Sequence, residues 1–255
     1  GMNTHVVASD TFIKLNDLSI VTPNSKIKGR IGFHYATFDE FEDEFEDKVI
    51  MHARFDTSQV HFKDLGYYAP DLMGIDRFVT LSGEAHGRVI ALRCKDLVID
   101  YGKHTHIKGD FRFNGLPDIE TTDMQFKIVE GYSSREDLMT IPVAPFKEGK
   151  TLEIPENIGY LGRFKVKGKF EGFVTDFIAN ATLQSDIGIV RADDVSMLLR
   201  DSDGEYEYKG AVTLEEFNVG KYFAIDGMGV ASASGNISGF GLRQSTMQAA
   251  VSDGM

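Results

Sequence analysis

The sequence predicts a mainly β protein: a long, strongly curved antiparallel sheet with a few short helices. Three observations point there. Gly109-Asp110-Phe111-Arg112-Phe113, Met124-Gln125-Phe126-Lys127-Ile128 and Phe164-Lys165-Val166-Lys167-Gly168-Lys169-Phe170 alternate apolar and polar residues, the period of a half-buried strand. Glycines interrupt or border such segments at Gly29, Gly83, Gly87, Gly109, Gly168, Gly172, Gly210, Gly235 and Gly239. An interior glycine marks a bulge or a sharp bend, although a hairpin turn accounts equally well for some of them. Finally, Ser82-Gly83-Glu84-Ala85-His86-Gly87 returns as Ser234-Gly235-Asn236-Ile237-Ser238-Gly239 and, more loosely, as Lys167-Gly168-Lys169-Phe170-Glu171-Gly172. Internal repetition of this kind is the mark of a repeat architecture.

In chain order, Thr11 to Val21 reads as a first strand, closed by the turn residues Pro23-Asn24-Ser25. Ile27 to Tyr35 is a second, with Ile27, Ile31, Phe33 and Tyr35 on one face. Between Thr37 and Asp47 the period changes: Phe38, Phe41 and Phe45 form one stripe of a helix, and acidic residues fill the rest. That acidic run is the solvated side of a short amphipathic helix in preference to a cation or partner site. Val49 to Phe55 and Gln59 to Lys63 read as short strands, and Gly66-Tyr67-Tyr68-Ala69-Pro70 as a loop or helical turn stopped by proline. A meander runs from Phe78 to Ile128, with a turn at Asn114-Gly115-Leu116-Pro117-Asp118. Arg135 to Met139 makes a short helix, and Pro142, Pro145 and Pro155 mark an irregular crossing. A second meander starts at Tyr160, includes a strand from Tyr206 to Leu214, and passes an aromatic turn near Tyr222.

The repeat also extends upstream of its glycines. Val60-His61-Phe62-Lys63-Asp64-Leu65 and Val212-Thr213-Leu214-Glu215-Glu216-Phe217 are 152 positions apart, the spacing of Gly83 and Gly235. This divides the chain into diverged repeats at about 60–147, 148–211 and 212–255, the last one truncated, within one fragment of a larger protein. Gly1-Met2 reads as a remnant of tag removal.

The net charge of -12 over 255 residues argues against a nucleic-acid partner. It also argues against simple adhesion to anionic headgroups, but not against a lipid held by its tails. Cys94 is the only cysteine, so no internal disulfide forms. No run reaches the ~18 apolar residues of a membrane-spanning helix. Nothing in the sequence reads as an enzyme or as a cofactor site. His104-Thr105-His106, with His86 nearby, lacks a further ligand at a telling spacing, so no metal is expected. Asp201-Ser202-Asp203-Gly204 lacks the ligand ladder of a calcium loop. Ser133-Ser134 and Cys94 have no visible activating base.

Leu65-Gly66-Tyr67-Tyr68-Ala69-Pro70-Asp71-Leu72, Val79-Thr80-Leu81-Ser82-Gly83, Gly109-Asp110-Phe111 and Gly115-Leu116-Pro117-Asp118-Ile119 resemble the TamB family of AsmA-like periplasmic proteins. Leu161-Gly162, Gly168-Lys169-Phe170-Glu171-Gly172-Phe173 and Asp176-Phe177 fit the same pattern, so that the resemblance covers roughly Thr11 to Leu242. It implies a β-taco, or repeating β-groove, with an apolar inner face. It also implies a periplasmic protein of a Gram-negative bacterium, anchored in the inner membrane, that moves phospholipid toward the outer membrane. An outer-membrane barrel partner belongs to parts outside this chain.

An apolar sheet face must be covered by another layer or by a ligand, and acyl chains gain about 0.8 kcal/mol per buried CH₂. The in-phase residues Phe111, Phe113, Met124, Phe126, Ile128, Phe164, Val166, Phe170, Tyr206, Tyr208, Val212 and Leu214 are the expected groove lining for phospholipid acyl chains. Two alternatives remain. One is a scaffold or chaperone-like module that pairs with nascent outer-membrane strands. The other is a closed β-sandwich for adhesion or glycan binding, with Tyr67, Tyr68 and Tyr132 as its platform.

Overall fold

The computed structural model describes residues 1–66, 73, 75–143, 150–200, 205–241 and 248–252. Its strands are β1 (Met2–Ser9), β2 (Phe12–Val21), β3 (Lys26–His34), β4 (Ile50–His61), β5 (Phe78–Arg88), β6 (Ala91–Tyr101), β7 (Thr105–Asn114), β8 (Asp123–Ser134), β9 (Arg163–Phe173), β10 (Asp176–Ser185), β11 (Gly188–Leu199), β12 (Tyr206–Asn218), β13 (Val230–Phe240) and β14 (Gln248–Ser252). They form one antiparallel sheet of 14 strands in sequence order, open between β1 and β14. Met2 therefore lies in a strand that the sequence reading passed over; the Gly1 ammonium donates to the Val21 carbonyl at 2.5 Å. The stretches read as two short strands around Thr57 form the single strand β4, and the residues after His61 turn into a helix.

Strict alternation fails at two-residue bulges. Residues 16–17 of β2, 56–57 of β4, 95–96 of β6, 129–130 of β8, 193–194 of β11 and 215–216 of β12 each interrupt the register with a neighbouring strand. The residues on either side, such as Leu15 and Leu18 or Cys94 and Leu97, stay on one face while the two between them, polar in every case except Val129, turn outward. Four of the outward residues, Asp17, Asp96, Asp194 and Glu216, sit at φ of 47–50°. A short polar side chain tolerates that region better than a branched apolar one. The single residue opposite supplies the missing hydrogen bond. Asp110 Oδ1 accepts from Asp96 N (3.0 Å), Asn180 Oδ1 from Asp194 N (2.9 Å) and Ser232 Oγ from Glu216 N (2.9 Å).

Glycine stands beside these bulges where a side chain would not fit. Gly29 pairs with Leu18 just beyond the first bulge, at φ 145°, and a Cβ there would lie 2.0 Å from the Arg54 carbonyl oxygen. Gly109 pairs with both Leu97 and Ile128, and its Cβ would meet the Lys127 carbonyl oxygen at 2.2 Å.

Among the described residues, the helical segments other than the pair between β3 and β4 follow every fourth strand. After β4 comes α3 (Phe62–Leu65), after β8 come α4 (Arg135–Leu138) and a 3-10 helix (Glu156–Leu161), and after β12 comes α5 (Val219–Phe223). The strands that follow them, β5, β9 and β13, are each 11 residues long. Each carries glycine at the same two places: Gly83 and Gly87, Gly168 and Gly172, Gly235 and Gly239. The Gly-x-x-x-Gly copies thus occupy equivalent positions. The upstream segments do not. Val60 stands one residue before the His61 cap of α3, whereas Val212 lies in the middle of β12. The segment standing like Phe62-Lys63-Asp64-Leu65 in the next unit is Arg135-Glu136-Asp137-Leu138.

Those two helices share an anchor. Asp64 accepts from Thr22 Oγ1 (2.6 Å), Asn24 Nδ2 (3.3 Å) and Ser25 Oγ in the β2–β3 turn. Asp137 accepts from Lys103 N (3.1 Å), His104 N (2.6 Å) and Thr105 Oγ1 (3.1 Å) in the β6–β7 turn. Burial raises the Asp137 carboxyl, but the Lys103 and His104 amides and the Thr105 hydroxyl outweigh it and leave the group below its ordinary value. On the opposite rim, α1 (Phe38–Asp43) and α2 (Phe45–Lys48) replace the expected single helix. Thr37 caps α1 by accepting from Glu40 N, and Glu40 Oε2 accepts in return from Ala36 N (2.8 Å). Phe41 and Phe45 pack on Phe33, with ring centroids 5.7 and 5.6 Å away.

Two predictions follow from these contacts. Gly29→Ala forces a Cβ into the Arg54 carbonyl and a disfavoured φ, and should lower the unfolding free energy in urea by roughly 2–4 kcal/mol. Asp137→Ala leaves two part-buried amides without their acceptor and should cost about 1–2 kcal/mol at neutral pH. Because the folded carboxyl lies below its ordinary value of 3.8, its contribution is present above that pH and is lost as pH falls through the folded value. The difference between Asp137→Ala and the parent should therefore shrink in urea titrations repeated below pH 3.8.

Candidate functional site

Directly opposed residues on antiparallel strands share a face, so the register identifies what each face presents. One row runs Val6, Leu15, Ile31, Ala53, Ala85, Cys94, Phe111, Phe126, Phe170, Ala179, Val195 from β1 to β11 without a polar residue. The adjacent row on the other face runs Lys14, Gly32, His52, His86, Arg93, Arg112, Gln125, Glu171 from β2 to β9. One surface of the sheet is apolar and the other is charged.

All the expected lining residues fall on the apolar face and are buried or half-buried: Phe111, Met124, Phe164 and Tyr208 are buried, while Phe113, Phe126, Ile128, Val166, Phe170, Tyr206, Val212 and Leu214 are half-buried. They separate into two settings. Phe113, Phe126 and Phe170 belong to an aromatic series that continues to Phe177 and Tyr206, with successive centroids 5.5, 5.3, 4.6 and 6.0 Å apart. Phe164, in contrast, joins Leu161, Ile187 and Phe217 in a closed cluster, and Leu214 packs against it beside Val219 and Tyr222 of α5. The 3-10 helix and α5 stop the apolar face at that rim. Phe177 was missing from the expected set because β10 is apolar on both sides: Ile178, its neighbour, is 47 % exposed on the charged face. Alternation there carries no signal.

Few large side chains are sealed from solvent. Among the described residues Val49 is the sole apolar side chain among the largest fully buried ones; the others are Thr122, Ser58 and Ser134. The accessible surface is 15412 Å², against roughly 11,200 Å² for a compact monomer of this mass.

The other singled-out groups have local roles. β7 begins at Thr105, so His104 lies in a turn and not beside His106 on a strand; His106 Nδ1 is 2.7 Å from Asp100 Oδ1. Among the described residues no group of three or more His, Cys, Asp or Glu is placed to hold a metal ion. Burial pushes the Cys94 thiol up to about 11, which keeps it protonated. Ser134 caps α4 by accepting from Asp137 N, and Ser133 Oγ lies 2.9 Å from Thr105 Oγ1. Tyr132 Oη donates to Glu130 Oε1 (2.7 Å), while Tyr67, Tyr68 and the 201–204 segment lie outside the described residues.

No protein-family model, curated protein or solved structure matches the chain.

The division into sealed rim and open aromatic series is measurable. Phe164→Ala should cost about 3–5 kcal/mol in chemical unfolding, the loss expected of a buried phenylalanine. Phe126→Ala, half-buried in the open series, should cost only about 1 kcal/mol.

Proposed function

We propose that this chain is a β-groove segment of a TamB/AsmA-like periplasmic protein, whose apolar face conducts phospholipid acyl chains between inner and outer membrane. The supporting observation is the unbroken apolar row from Val6 to Val195, on a protein that leaves far more surface in water than a compact monomer does. Bulges recur beside Leu18, Leu97, Val195 and Phe217, and bends of that kind toward the apolar face are what a β-taco requires. Phe113, Phe126, Phe170 and Phe177 form its floor, and an acyl chain laid along them would remove their remaining exposure from water. The charged face would then meet the aqueous periplasm. No catalysis is needed for such a conduit. The open edges at β1 and β14 favour a second reading, a scaffold that receives an outer-membrane strand by edge pairing.

Native mass spectrometry of detergent-free protein, followed by lipid extraction, tests the conduit. Phospholipid or fatty acid should co-purify, and Phe126→Asp combined with Phe177→Asp should reduce loading about tenfold without unfolding the sheet. Protein free of lipid that also refuses a labelled phospholipid would exclude the conduit, and capture of unfolded barrel strands would then favour the scaffold.

A further inference from the structure

The charged face contains a local excess of one sign that the chain itself does not balance. Arg93 on β6 pairs directly with Arg112 on β7, His86 pairs with Arg93, and His52 pairs with His86. Like charges placed opposite one another across strands are destabilising. Among the described residues neither Arg93 nor Arg112 meets a carboxylate, although the whole chain carries a net charge of -12. The four side chains border a recess of about 610 Å³ that Arg88 also lines; Asp123 is its one carboxylate. Arg88 Nη1 donates to the Asp47 carbonyl (3.2 Å), which directs its charge along the rim. His52 Nδ1 and His86 Nδ1 are 3.0 Å apart, so one ring donates to the other. Burial, with His86, His34 and Lys14 around it, holds the His52 imidazole below its ordinary value.

We infer that this recess binds a phosphoryl anion through the Arg93 and Arg112 guanidinium groups, with the hydrogen-bonded His52–His86 pair supplying one further N–H donor. Guanidinium forks match phosphate oxygens in pairs, and two forks on neighbouring strands present adjacent sets of donors to a single tetrahedral anion. A bound dianion would also remove the like-charge strain across the β6–β7 ladder. The Arg93, Arg112, His52 and His86 side chains stand on the face opposite the apolar row, and of the groove's aromatic floor only Phe113 also borders the recess, so either reading can fail while the other stands. Two sources carry the required group, a soluble phosphorylated molecule and an anionic lipid headgroup at a membrane surface.

The test is a titration of the ¹⁵N-labelled chain with inorganic phosphate at constant ionic strength, read at the arginine Nε–H signals. Saturable shifts at Arg93 and Arg112 are expected, and the double variant R93Q/R112Q should bind at least about tenfold more weakly. Its thermal midpoint should be unchanged or raised, because the substitution removes an unpaired like-charge pair. Shifts that chloride reproduces equally, or a double variant that binds phosphate as tightly as the parent, would overturn the assignment. Flotation with phosphatidylcholine vesicles, with and without phosphatidylglycerol, separates the sources. Retention that requires phosphatidylglycerol and is lost in R93Q/R112Q identifies a headgroup. Saturable phosphate binding without retention identifies a soluble ligand, and the absence of both refutes the site.

Discussion

The fold depends on one local solution to a geometric conflict. A strand that must bend cannot keep perfect alternation, yet a slip of one residue would throw every following apolar side chain to the wrong face. Here two polar residues turn outward together, so Leu15 and Leu18, or Cys94 and Leu97, remain on the same side of the bulge. The cost is a backbone residue at positive φ and an amide without a ladder partner. Asp110, Asn180 and Ser232 supply the partner in three cases. Gly29 and Gly109 supply the space on the inner side, where any Cβ would meet a carbonyl.

That solution explains what could be read from the chain alone. Strands with clean alternation, such as β7, β8 and β9, were legible with their inward residues. Of the glycines inside strands, Gly29, Gly83, Gly109 and Gly168 stand beside bulges, whereas Gly87 and Gly172 stand in register next to hairpin turns. β4 was split in two because Asp56-Thr57 breaks the period in the manner of a turn, and only the ladder with β5 shows that the strand continues. β1 went unseen because apolar and polar residues follow no period there, with Val6 and Val7 both exposed. Phe177 was missed for the related reason that β10 carries apolar residues on both faces. Phe164 was correctly placed on the apolar side, but its closure under α5 arises from a segment more than fifty residues away, beyond any local pattern.

The two faces of the sheet bear different kinds of strain. The apolar face leaves aromatic rings partly in water, at a hydrophobic cost that any nonpolar cover would relieve. The charged face carries arginines across from one another, at an electrostatic cost that an anion would relieve. Neither cost is offset within the described chain. The four-strand spacing of the helical inserts distributes structural closure unevenly: Asp64 and Asp137 tie their hairpin turns at one rim, whereas α1 and α2 lean on Phe33 at the other.

The serial order of the strands has a further consequence for cooperativity. Each strand's ladder bonds reach only the one before and the one after it, so the sheet behaves as a line of coupled springs more than as a single globule. Loss of order in one hairpin need not propagate past the next carboxylate tie. Hydrogen exchange would then fall in blocks, slowest near Asp137 and the Phe164–Phe217 cluster and fastest toward the unpaired edges, instead of in one global step.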